Sequence, residues 1–97
     1  MKIRMNTQLL GVDKKPIVKP GTPPMTLKDI CIGSILTPIE GDDEKKKFEK
    51  YEIFKKIRDA KAETELKAEE IVVIKKAIGM FQPPLIMGQC FEMLEQK

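Results

Sequence analysis

The stretch Thr26-Leu27-Lys28-Asp29-Ile30-Cys31-Ile32-Gly33-Ser34-Ile35-Leu36 decides how this chain folds. Thr26 is a good helix N-cap, and Asp29 three residues on makes an approximate capping box. The helix expected from about Leu27 to Leu36 carries Leu27, Ile30, Cys31 and Ile35 on one face, and Ile32 and Leu36 widen it. So broad an apolar surface belongs to a helix central to the core, or to one that contacts a second chain. Pro38 ends it.

Upstream, Pro20-Gly21-Thr22-Pro23-Pro24 reads as a linker. Before it, Ile3, Met5, Thr7 and Leu9 alternate with Lys2, Arg4, Asn6 and Gln8. Period two means a strand with one buried and one wet face. Gly11 to Lys15 supplies turn chemistry, and Pro16 to Lys19 reads as a short return strand with its proline at the start or edge. A hairpin alone is barely stable in water, so this one must pack on the helices or on another copy.

Downstream, Gly41-Asp42-Asp43 opens a second helix, expected to reach about Ala62, with Phe48, Tyr51, Ile53, Phe54, Ile57 and Ala60 as its apolar residues. Asp43 and Glu44 suit the positive helix N-terminus, and Glu52–Lys56 has the supporting i,i+4 order. A third helix is expected from about Ala68 to Met80, with Ile71, Ile74, Ile78 and Phe81 at helical spacing and Thr64 or the poor cap Lys67 at its start. Pro84 fits the first turn of a fourth, which carries Met87, Cys90, Phe91 and Leu94 to about Glu95. The expected fold class is α+β, mainly α. A hairpin arm (1–19), a proline-rich linker (20–25) and a compact bundle of about four short helices (26–97) form a single domain.

The composition narrows the function. At 97 residues with 41% apolar and 34% charged residues, the chain is globular rather than disordered, and self-association is one remedy for a small core. No stretch approaches the roughly 18 apolar residues of a membrane span, and the opening Met1-Lys2-Ile3-Arg4 lacks the apolar run of a signal peptide. A cytoplasmic protein is expected. Cys31 and Cys90 read as buried free thiols, and with no histidine they cannot complete a zinc site of the usual kind. The missing histidine also excludes Ser-His-Asp and Cys-His catalysis.

No phosphate-binding glycine loop occurs. Asp42, Asp43 and Glu44 are adjacent, whereas a calcium loop spaces its ligands, so helix capping accounts for them. Glu69 and Glu70 occupy a helix first turn, where negative charge is favourable without catalysis. The net charge of +3 lies in the N-terminal arm, and Lys45-Lys46-Lys47 sits among acids as a solvated face. Arg4 and Arg58 are the only arginines, and the aromatics sit at core spacing, Tyr51 with its hydroxyl at the edge. Nucleic-acid binding is therefore disfavoured. The cluster Met80, Met87 and Met93 reads as core gap-filling ahead of an exposed groove.

Thr26 to Cys31, Lys47-Phe48-Glu49-Lys50-Tyr51, Ala68 to Ile71 with Ile74 to Gly79, and Pro84 to Gln89 follow one another in an order that resembles a group of small proteins from tailed bacteriophages and prophages. Those proteins also open with an alternating strand and a short turn. Lys67 stands where the group carries a small capping residue, and Phe91 where it tends to carry tryptophan. The group has no settled function, so no site residues carry over. The resemblance implies a bacterial cell carrying a phage or prophage.

The expected function is that of a non-enzymatic interaction protein that binds and modulates a host or phage protein, such as a component of host defence. Its hairpin edge would offer β-addition. Lys2, Arg4, Lys14 and Lys15 are the candidate contact residues, with no cofactor and no metal. The alternatives are an oligomeric small-ligand or nucleotide-binding protein, which uses helix N-termini and lysines for phosphates, and a phage structural or assembly component.

Overall fold

The computed structural model describes residues 2–18 and 20–95; Lys19, at the end of the expected return strand, lies outside them, as do Met1, Gln96 and Lys97. The described chain runs β1 (Lys2–Arg4), α1 (Leu27–Leu36), α2 (Glu44–Asp59), β2 (Glu63–Glu65), α3 (Ala68–Phe81) and α4 (Pro84–Glu95). The class is α+β, mainly α.

α1 forms where its cap dictates. Asp29 N–H donates to Thr26 Oγ1, and the Asp29 carboxylate accepts from Thr26 N–H at 3.0 Å, which completes the box. The two helix donors left over find partners far back in sequence: Leu27 N–H donates to Thr7 O and Lys28 N–H to Met5 O, each at 2.9 Å. Helix N-termini leave such groups orphaned unless something meets them. Here the N-terminal segment does so. It also sends Ile3, Met5 and Leu9 into the core among Leu27, Cys31, Ile53, Ile57, Ile74 and Leu94. The expected alternation is thus seen in burial, and the segment packs on the helices.

α1 packs against both α2 and α3, α4 packs on α3, and β1 touches α4. Leu27, Ile30, Cys31 and Ile35 are buried as expected, joined by Ser34, whereas Leu36 stands exposed.

The sheet differs from the hairpin in its partner. The chain does reverse where expected: Gly11 N–H donates to Lys15 O, Ile17 N–H donates to Leu9 O, and Leu10 and Pro16 form an antiparallel bridge. The ladder strand, however, is β2, antiparallel to β1 with Ile3 opposite Thr64. Residues 63–65 are freed for it because α2 stops at Asp59 rather than at Ala62. Lys28 Nζ donates to the terminal carbonyls of Arg58 and Ala60, and Met5 N–H pairs with Ala62 O. The linker's far end is also held, since Met25 exchanges hydrogen bonds with Leu9 and Ile17.

Candidate interaction surfaces

The turn between Leu9 and Ile17 is braced from within and from below. Lys14 N–H closes on Gly11 O at 2.9 Å, and Lys15 N–H donates to Asp13 Oδ1 at 3.1 Å. Lys14 adopts a left-handed backbone with φ 64°, which side-chain-bearing residues rarely occupy and which the loop must hold in place. From α4, Gln89 grips Leu10 on both sides: Nε2 donates to Leu10 O at 2.7 Å and Oε1 accepts from Leu10 N–H at 2.9 Å. The side-chain amide thus completes the backbone as a strand would. On this braced turn Val12 is 90% exposed, with Lys14 and Lys15 exposed after it.

The structure divides the four basic candidates. Lys14 and Lys15 occupy the turn. Lys2 and Arg4 lie on β1 directly opposite Glu65 and Glu63, cross-strand neighbours of opposite charge. Sequence reasoning passed over Val12 and Gln89. Val12 carries no chemical signature, and the Gln89 contact joins residues 79 positions apart.

α2 overturns one expectation. Its core side is Ile53, Ile57 and the aliphatic stem of Lys50, so at 100° per residue Phe48 and Tyr51 face away. Phe48 is 60% and Tyr51 46% exposed, and Phe54 is half-buried. Tyr51 is therefore no core residue. The three rings lie 6.3 and 6.2 Å apart along the helix. Lys55 Nζ sits 5.2 Å from the Tyr51 ring centroid, and Arg58 lies over Phe54. Acids are interleaved: Glu52 pairs with Lys55, and Asp59 with Arg58.

Between α2 and α3 lies a cleft of about 200 Å³, lined by apolar Ile39, Val72 and Val73, by Lys46 and Lys76, and by Glu49, Asp42 and Lys50. Within this lining Asp42 forms an ion pair with buried Lys50. Hydrogen bonding from Lys50 holds the Asp42 carboxyl below the usual carboxylate range. Of the two candidates for the cap at this helix start, Asp42 and Asp43, the cap is Asp43, whose carboxylate accepts from Lys46 N–H at 2.8 Å. Glu70 is likewise structural in its contacts. Burial pushes its carboxyl up, but the hydrogen bonds from Lys56 Nζ and Lys67 N–H outweigh this and hold it down.

Cys31 and Cys90 are both buried and free. Burial pushes Cys31 up to about 12, with Cys90 nearby adding to it, and Cys90 to about 11. Such thiols are poor nucleophiles near neutral pH. The described residues contain no group of three or more Cys, Asp and Glu arranged to hold a metal. Among the methionines, Met5 is fully buried, Met87 and Met93 pack half-buried on the core, and Met80 is exposed. No helix among the described residues is long and apolar enough to cross a membrane.

Comparison with protein-family models, with curated proteins and with solved structures gave no match.

Proposed function

We propose that this chain is a non-enzymatic interaction protein that presents the turn 10–18 to a protein partner in a bacterial cell carrying a phage or prophage. The supporting observation is Val12. It is a large apolar side chain held 90% exposed on a turn that Gln89 clamps to the body. An exposed apolar tip on a pre-organised loop loses little entropy on docking. Lys14 and Lys15 beside it would meet an acidic rim on the partner. The setting rests on the resemblance to small tailed-phage proteins, and with it the cytoplasm as the compartment and modulation of a host or phage protein as the outcome.

The test is affinity purification from the bacterial host with cross-linking and mass spectrometry, wild type against Val12→Asp combined with Lys14→Glu and Lys15→Glu. The expected result is a partner cross-linked through Lys14 or Lys15 and lost in the variant, with the helical circular dichroism unchanged. A partner captured equally by both proteins overturns the placement. Loss of binding only when Lys2 and Arg4 are reversed moves it to β1.

A second reading, small-ligand binding, is favoured by the cleft in which Lys46 and Lys76 stand with Glu49 and the Asp42–Lys50 pair beside apolar Ile39, Val72 and Val73. A native mass spectrum that retains a few hundred daltons on the chain, lost on Lys46→Glu with Lys76→Glu, would favour it over the turn.

A further inference from the structure

We propose that the outer face of α2 is a self-association surface, on which a second copy of this chain lays its own α2 antiparallel across a two-fold axis. The face is built as a helix-pairing seam. Glu44, Phe48, Tyr51, Lys55 and Arg58 follow one another at steps of four, three, four and three. That is the a/d spacing of residues along one side of a helix that pairs with another. The side carries the exposed Phe48 and Tyr51, opposite the buried Ile53 and Ile57.

The charge order selects the occupant. In an antiparallel pair centred between positions 49 and 50, residues whose numbers sum to 99 face each other. Phe48 then lies on the partner's Tyr51 and Tyr51 on the partner's Phe48. Glu44 meets the partner's Lys55 at both ends. Glu52, on one flank, comes within reach of the partner's Lys45, which the two-fold places on the same flank. The four layers from position 44 to position 55 are apolar on apolar or acid on base, while Arg58 lies beyond the overlap, and the two-fold repeats each contact, as a symmetric dimer requires. A parallel pair would set Glu44 on Glu44 and Lys55 on Lys55. Leu36, which is 50% exposed and lines a groove with Tyr51, lies at the margin of the seam and would be covered with it.

The same pattern argues against other occupants. A nucleic-acid strand would meet Glu44, Glu52 and Asp59 alongside the rings, and a uniformly acidic peptide would meet the same three. The mixed order is satisfied by its own reverse. At 16 residues α2 is about 24 Å long, so the seam is short and the dimer is a concentration-dependent one.

The experiment is sedimentation velocity over a concentration series, with circular dichroism as the fold control. Wild type is expected to pass from monomer to dimer. Glu44→Lys and Lys55→Glu, each alone, set like charges together and are expected to weaken the dimer about tenfold or more. The two combined exchange the signs and are expected to restore it to within about threefold of wild type. A wild type that stays monomeric at the highest soluble concentration overturns the proposal. So does a dimer insensitive to either single change, or one that the double change does not restore.

Discussion

Gln89 shows how one side chain sets the shape of a surface. Its amide satisfies both backbone groups of Leu10, across 79 positions of sequence. Gln89→Ala should cost about 1–3 kcal/mol, since each of the two hydrogen bonds to Leu10 contributes about 0.5–1.5 kcal/mol net. Urea titration measures the loss. Faster hydrogen exchange at the Leu10 amide, with the amides of α3 unchanged, would place it. Asp42 and Lys50 act at the same scale but answer to pH. The folded Asp42 carboxyl sits below its ordinary value of 3.8, so its contribution is complete above that value and is lost as pH falls through the lowered one. Asp42→Asn removes the contribution and leaves Lys50 buried without this partner. The stability gap between wild type and Asp42→Asn should therefore be widest above the ordinary value of 3.8 and close as pH falls through the lowered one. Replacing both, Asp42→Asn with Lys50→Met, should recover stability lost by the single change, because a buried charge left alone costs more than an apolar side chain in its place. A gap that stays constant across the acid range would show that the pair does not form in solution.

At the scale of elements, helix starts were legible and strand partners were not. Thr26 with Asp29 marks α1, and Pro84 opens α4 in its first turn. α3 starts where expected although Lys67 cannot accept a hydrogen bond through its side chain; the Glu70 carboxylate takes Lys67 N–H at 2.9 Å and supplies half of a capping box. Lys67→Ser should complete the box and stabilise the protein by about 1 kcal/mol. For a chain of this size that is a rise of about 4–8 °C in Tm. A Tm unchanged or lowered in a thermal melt would mean that Lys67 holds α3 by another contact. β2 had no local signal. Glu63-Thr64-Glu65 has no apolar alternation, and its partner lies some sixty residues back. Phe48 and Tyr51 of α2 leave the core for a different reason, while Phe54 packs on its edge. Helical spacing groups Phe48, Tyr51 and Phe54, but Ile53 and Ile57 define a competing face, and the packing against α1 selects the isoleucines. The turn at 11–15 was legible from Gly11 and Asp13, whereas its clamp, resting on Gln89, was not.

At the scale of the molecule, the question is whether the first nine residues are an arm or part of the core. Leu9 and Met5 are fully buried, and Ile3 nearly so. Burying three such side chains contributes roughly 5–9 kcal/mol, at about 1.5–3 kcal/mol each. A domain of this kind has about 5–15 kcal/mol of net stability in total. The segment also provides the acceptors Thr7 O and Met5 O for the first donors of α1, and it pairs with β2. α1 is the helix on which both α2 and α3 rest, so loosening its N-terminus reaches every layer. Removing residues 1–9 should therefore abolish the cooperative melt of the helices rather than trim an appendage. The milder Leu9→Ala should cost about 2–5 kcal/mol while keeping one transition. Circular dichroism at the helical minimum, followed through urea, separates the outcomes. A truncated chain that still unfolds sharply would make residues 26–95 a self-sufficient bundle. A flat, gradual loss of signal would make the strand, the turn and the four helices one folding unit, in which the surface carrying Val12 is held in place by the same residues that build the core.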